Sequence, residues 1–171
     1  MAEERCNLFW SKEFILDNNK EIKEVIEKEI PPIPGVYLIY WPTLLNIQMK
    51  HFRLYDKKSL NPLASKNGKR LSKQKLLYIG VTRNLKKRII NHSKKPGPGL
   101  AYLYYYDSFR FRFAEIDNKD IDIWAVESIM LREYVETHGH LPVGNEQFTL
   151  RGDRSIKYLI VHNPRDVFGL I

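Results

Sequence analysis

The sequence predicts an α/β (α+β) domain with a small, mainly antiparallel three-stranded central sheet flanked by helices. Three observations carry that prediction. Two short runs, GVYLIYW at 35–41 and LLYIGV at 76–81, are rich in β-branched and aromatic residues and stop at turn or cap residues. A third, FRFRFAEI at 109–116, alternates Phe109, Phe111 and Phe113 with Arg110 and Arg112, the period of a strand. Segments of helical pattern stand before, between and after these runs.

Residues 1–32 read as an N-terminal helical extension, because NKEIKEVIEKE at 19–29 sets Ile22, Val25 and Ile26 at helical spacing before Pro31 and Pro32 stop it. Pro34 and Pro42 bracket the first strand. Residues 44–55 alternate loosely and form either another strand or an excursion. NPLASKNGKRLSKQK at 61–75 has the composition of an exposed loop, so an insertion is expected at about 44–75. After LLYIGV, Asn84 is placed to cap the helix LKKRIINHSKK, which Pro96-Gly97-Pro98-Gly99 ends. AYLYYY at 101–106 precedes the third strand, and residues 120–138 are helical in composition with Gly139 as the stop. The core is expected over 33–150, and 151–171 form a C-terminal extension with KYLIV as an edge strand.

The composition sets the class. A chain of 171 residues with 43% hydrophobic and 12% aromatic side chains buries one core and is not disordered. The longest uncharged stretch, Ile30 to Met49, holds four prolines and does not fit a spanning helix. The opening MAEERCNLFW lacks a secretory pattern, and the single cysteine, Cys6, forms neither an internal disulfide nor a thiolate metal cage. A cytoplasmic protein without cysteine-based catalysis is expected, unless Cys6 acts alone.

The net charge of +8 is segregated. Residues 50–95 hold fifteen Lys or Arg against Asp56 alone, a net of +14, and the rest of the chain is −6. Any one lysine there is an ordinary solvated charge. The block as a whole fits a polyanion, nucleic acid before a membrane surface, because clustered cations release counterions from phosphates and no apolar helical face accompanies them. The candidate DNA-binding residues are Lys57, Lys58, Lys66, Lys69, Arg70, Lys73, Lys75, Arg83 and Lys87.

Some residues stand out on their own elements. Glu127 lies within the apolar stripe Ile123, Val126, Met130 and Tyr134, where a carboxylate is paired, protonated or metal-bound. Pairing with an arginine is the ordinary explanation. On the helix after LLYIG, Arg88 and His92 are spaced i and i+4 beside the buried side set by Leu85 and Ile89. Tyr37 follows Gly35-Val36, and Tyr78 precedes Ile79-Gly80.

In this order the set resembles the GIY-YIG nuclease superfamily. GVY at 35–37 and YIG at 78–80 stand for the two halves of its name, Arg88 and His92 for its helix residues, and Glu127 and Asn145 for its later glutamate and asparagine. Two spacings are longer than in small members: Tyr37 and Tyr78 are 41 residues apart, and Glu127 and Asn145 are 18 apart. The first looks like the long connections of restriction-endonuclease members.

The resemblance implies a divalent-metal-dependent endonuclease that hydrolyses DNA phosphodiester bonds, and a sequence-specific type II restriction enzyme is the preferred refinement. Glu127 would hold one ion, Mg²⁺ with Mn²⁺ able to substitute, and Arg88 would contact phosphoryl oxygens. Tyr37 is the candidate base, activated by neighbouring cations or by His92, while Tyr78 positions water or phosphate and Asn145 buttresses the site. One strand is cut per site, so cleavage of double-stranded DNA calls for a homodimer or two encounters. The alternatives are a non-catalytic nucleic-acid-binding module, with AYLYYYDSFRFRF stacking bases, and a structure-selective repair or mobile-element nuclease. His138-Gly139-His140 is a weaker metal candidate, with DNA contact as its second role.

Overall fold

Every residue from Gly35 to Trp41 is buried, with Val36, Leu38 and Tyr40 in one apolar cluster and Tyr37, Ile39 and Trp41 in another. A strand whose two faces are both covered reads as an unbroken apolar run, which is why this segment is central to its sheet. The computed structural model describes residues 4–17, 19–49, 55–61, 70–94, 109–142, 144–145 and 158–161. The elements are β1 (Glu4–Asn7), β2 (Phe14–Leu16), α1 (Lys20–Glu29), β3 (Gly35–Met49), β4 (Arg70–Thr82), α2 (Leu85–Lys94), β5 (Phe109–Glu115), α3 (Ile123–His138) and β6 (Tyr158–Val161).

The main sheet has the order β2-β5-β3-β4 and is antiparallel throughout. It has four strands where the sequence predicts three, because β2 adds to β5 through Phe14↔Phe111. β1 and β6 form a second, two-stranded parallel sheet. The first 32 residues therefore contribute two strands as well as α1. YLIV at 158–161 is a strand, as expected, and its partner is β1.

β3 and β4 both outrun their predicted limits. Residues 70–75, expected in a loop, continue β4 and pair with Leu45–Met49. Pro42 does not end β3 because it lies where pairing is interrupted: between Tyr40↔Leu76 and Leu45↔Gln74, β3 advances five residues while β4 advances two. Proline is tolerated in a strand at such an irregularity, where no ladder bond is asked of it. The insertion is thus a hairpin extension, with residues 50–54 and 62–69 outside the described residues.

Helix caps follow the sequence. Asn19 and Asp122 accept from the backbone N–H of Glu21 and Trp124 at 2.8 and 3.0 Å, and Asn84 accepts from Lys87 N–H at 2.9 Å. Gly139 closes α3 with φ 77°, a left-handed conformation that costs a side-chain-bearing residue more. α1 and α2 share the cluster containing Tyr37, and α3 shares the cluster containing Val36 and Leu38. One layer of helix therefore covers each face. Among the described residues no helix is long and apolar enough to cross a membrane.

Candidate active site

The register Tyr37↔Gly80 sets the first contact of the site. A Cβ on Gly80 would stand 2.5 Å from Tyr78 Cε1 and 2.6 Å from both Cζ and Oη of Tyr37. Glycine is required there because the Tyr37 phenol lies across it. The Tyr37 and Tyr78 rings stack with centroids 5.8 Å apart.

α2 supplies the other two members. Leu85 and Ile89 are fully buried against the sheet, so residues 88 and 92 follow along one side of the helix. His92 is 5% exposed, and its ring lies 5.4 Å from Tyr37 and 5.6 Å from Tyr78. Its Nε2 is 2.9 Å from the Tyr37 hydroxyl. Arg88 is exposed, yet its Nε donates to the same hydroxyl at 3.0 Å.

The electrostatics follow from burial. Tyr37 is pushed well above the usual phenol range by its burial and by Tyr78, and Arg88 only partly opposes this. Burial thus works against the activation of Tyr37 expected from neighbouring cations or from His92. His92 is pushed down to about 4 by burial and by the charge of Arg88, so it is neutral near pH 7. Assigning the Tyr37 proton to the bond with Nε2 places the imidazole proton on Nδ1, which is buried without a partner. The site is thus a phenol with a fixed cation on one side and a neutral proton acceptor on the other.

Asn145 joins through the backbone of β4. Its Oδ1 accepts from Ile79 N–H at 3.0 Å and its Nδ2 donates to Ile79 C=O at 2.8 Å, while Gly144 N–H donates to Leu77 C=O at 2.7 Å. The side chain thereby grips the residue between Tyr78 and Gly80. Glu127 is buried on α3 at 8% exposure and is not without a partner. α3 packs on β4 within the opposite-face cluster, so Glu127 lies in a different layer from Arg88 and His92, and no described contact joins it to them. Among the described residues no group of three or more His, Cys, Asp or Glu could hold a metal. A single carboxylate fits a divalent ion that retains most of its water and takes further oxygens from phosphate.

The basic candidates divide. Arg83 and Lys87 are exposed at the β4–α2 corner and on α2, Lys58 is exposed in the 55–61 turn, and Lys75 is half-buried on β4. Lys57 is engaged by the protein itself. Its Nζ donates to Thr137 C=O at 2.8 Å, and Tyr55 N–H donates to Gly139 C=O at 2.9 Å, docking this turn on the end of α3. Nothing in the sequence signalled that docking. Lys66 and Lys69 lie outside the described residues, as do the side chains of Arg70 and Lys73. AYLYYY also lies outside them. His138 and His140 are half-buried; their Nδ1 atoms donate to Tyr134 and Leu141 carbonyls at 2.9 and 2.8 Å, and His138 stacks on Tyr134 at 4.1 Å. Cys6 is buried and its thiol is pushed up to about 11, which removes it as a nucleophile.

Residues 65–137 match the family model described as the GIY-YIG catalytic domain, which takes in β4, α2, β5 and α3. This stretch is similar to the catalytic domain of the GIY-YIG nucleases, a family whose members act on DNA and are generally divalent-metal dependent. Tyr37 lies before the matched stretch and is joined to it by the β3–β4 pairing. No curated protein and no solved structure matches the chain.

Proposed function

We propose that this protein is a divalent-metal-dependent endonuclease hydrolysing phosphodiester bonds of double-stranded DNA through Tyr37, Tyr78, Arg88, His92, Glu127 and Asn145. The observation that carries the reading is the Tyr37 hydroxyl held between Arg88 Nε at 3.0 Å and His92 Nε2 at 2.9 Å.

Phosphodiester hydrolysis needs an activated water and relief of charge on the phosphoryl oxygens. Neutral His92 accepts a hydrogen bond from the Tyr37 hydroxyl and orients it, and the bond from Arg88 stabilises the phenolate formed when Tyr37 releases its proton to solvent. That phenolate takes a proton from the attacking water. The exposed part of the Arg88 guanidinium faces the scissile phosphate, a role suited to a forked, permanently charged donor. Tyr78 positions the phosphate or water, and Asn145 holds the β4 backbone beneath it. Glu127 would hold the divalent ion, Mg²⁺ or Mn²⁺, which when bound supplies charge neutralisation at the phosphate and the leaving oxygen.

Arg83 and Lys87 extend the cationic surface around Arg88, and the hairpin extension is the candidate for target recognition in a type II restriction role. One cluster serves one strand. Cutting a duplex through requires two copies of the chain or two successive encounters.

Purified protein is expected to nick or linearise plasmid DNA with Mg²⁺ and to stop on addition of chelator. Folded Glu127→Ala protein that still cuts would overturn the assignment of the metal carboxylate. Wild-type protein that binds DNA with every divalent ion tested and never cuts would favour the binding-module alternative.

A further inference from the structure

A set of buried hydrogen-bond donors lies on the face of the sheet away from Tyr37. Down β5, Ala114, Arg112 and Arg110 pair with Val36, Leu38 and Tyr40 of β3, and directly paired residues share a face. Trp10 pairs with Ala114 and shares that face too. Three N–H groups of this column are sealed from solvent without an acceptor: Trp10 Nε1, Arg112 Nε and Arg110 Nη1.

One carboxylate serves the cluster. Glu13 accepts from the Tyr40 hydroxyl at 2.6 Å and from Arg110 Nε at 3.3 Å. Arg112 interacts with the Tyr40 hydroxyl, while Arg110 pairs with Glu13. Both guanidinium groups thus adjoin the Tyr40–Glu13 pair, and the unsatisfied atoms of this column are all donors. Buried donors are almost always paired, and half-buried cations are retained where something supplies the opposite charge. What is missing here is an acceptor with several oxygens.

We propose that Trp10, Arg110, Arg112 and Tyr40 form a binding site for a phosphate group, distinct from the Tyr37–Arg88 cluster. A tetrahedral oxyanion presents acceptor oxygens in several directions and suits guanidinium forks. Glu13 acts as a resident substitute for it. Its side chain is 44% exposed and that of Arg110 is 23% exposed, and Ile15 beside them is 42% exposed, so the cluster opens to solvent on this side. The phosphate enters by displacing the Glu13 carboxylate from Arg110, which frees the fork to turn toward it. The source is either free inorganic phosphate or a terminal phosphate of a nucleic acid.

Calorimetric titration with sodium phosphate, against sodium chloride at matched ionic strength, tests the site. The titrations are made in Arg88→Met protein, which lacks the phosphate-facing guanidinium of the other cluster, so that the phosphate binding that remains reports this one. Adding Arg112→Met is expected to weaken inorganic phosphate binding about tenfold, since one charge-assisted hydrogen bond is removed. Adding Glu13→Gln is expected to tighten it because the competing carboxylate is gone. Unchanged phosphate binding in folded Arg112→Met, loss of binding in Arg88→Met, or no binding by wild type would each overturn the proposal. Should Arg112→Met fail to fold, Glu13→Gln decides, and equal or weaker binding there overturns it. A 5′-phosphorylated oligonucleotide that outbinds its unphosphorylated twin, with the difference removed by Glu13→Ala,Arg110→Met, assigns the nucleic-acid source; equal binding assigns free phosphate.

Discussion

Replacing Gly80 by alanine tests whether the site depends on where the Tyr37 phenol rests. The new Cβ would stand 2.5–2.6 Å from carbon and oxygen atoms of both tyrosines, whereas ordinary contact begins near 3.4 Å. Tyr37 is fully buried and cannot swing into solvent. Its ring must therefore retreat by about 0.8 Å, because packed interiors leave no slack to absorb the overlap. A shift of that size carries the hydroxyl beyond hydrogen-bonding distance of at least one partner, now at 2.9 Å (His92) and 3.0 Å (Arg88). The overpacking costs about 1–3 kcal/mol of stability, a fall in melting temperature of roughly 2–10 °C for a domain of this size. Misplacing a reacting group by such a distance lowers cleavage by about 10²-fold. Single-turnover cleavage of supercoiled plasmid and thermal unfolding read both effects. Folded Gly80→Ala protein that cleaves within about twofold of wild type would refute the reasoning.

Other predictions follow from the same geometry. His92 is depressed to about 4 in the folded state against 6.5 unfolded, so the stability tied to its neutral form is full above pH 6.5 and is lost as pH falls toward 4, by about 3 kcal/mol in all; urea titrations at pH 7 and pH 4.5 should show a smaller pH effect in His92→Phe. The same depression keeps His92 neutral down to about pH 4, so the cleavage profile should show no acid limb near 6.5. Lys57→Met is expected to cost about 0.3–1 kcal/mol through removal of a cation at the end of α3 and to leave the salt dependence of DNA binding unchanged, whereas Arg83→Met with Lys87→Met should flatten that dependence by about one unit of slope for each phosphate no longer neutralised. Asn145→Ala removes both bonds to Ile79 and should lower cleavage while leaving DNA affinity near wild type, which a filter-binding assay compares directly.

Where burial on both faces governs an element, as for Gly35 to Trp41, the sequence shows it as an apolar run. FRFRF shows its one-sided packing as alternation, and Asn84 marks the start of its helix. Other features depend on distant partners. Arg70 to Lys75 has no apolar stripe and becomes strand only because Leu45–Met49 lies alongside. Pro42 looks like a boundary, but the interrupted pairing around it needs no N–H there. β1 and β2 are too short to read, since their partners are β6 and β5.

The same division holds in the site. Tyr37, Arg88 and His92 are legible only as an ordered set that resembles the GIY-YIG nucleases, since each alone reads as strand packing or a solvated helix face. The direction in which Tyr37 titrates is not legible, because burial outweighs the charge of Arg88. Lys57 resembles any other basic residue of its block until the 55–61 turn is seen docked on α3.

The contacts that Gly144 and Asn145 make with Leu77 and Ile79 also bear on how copies of the protein behave toward one another. β4 is the last strand of its sheet, and an outermost strand with free N–H and C=O groups is a template for strand addition by a second molecule. Here a backbone N–H and a side-chain amide occupy those groups beside Tyr78. The strand carrying Tyr78 is thereby protected from aggregation along that stretch without being covered by another strand.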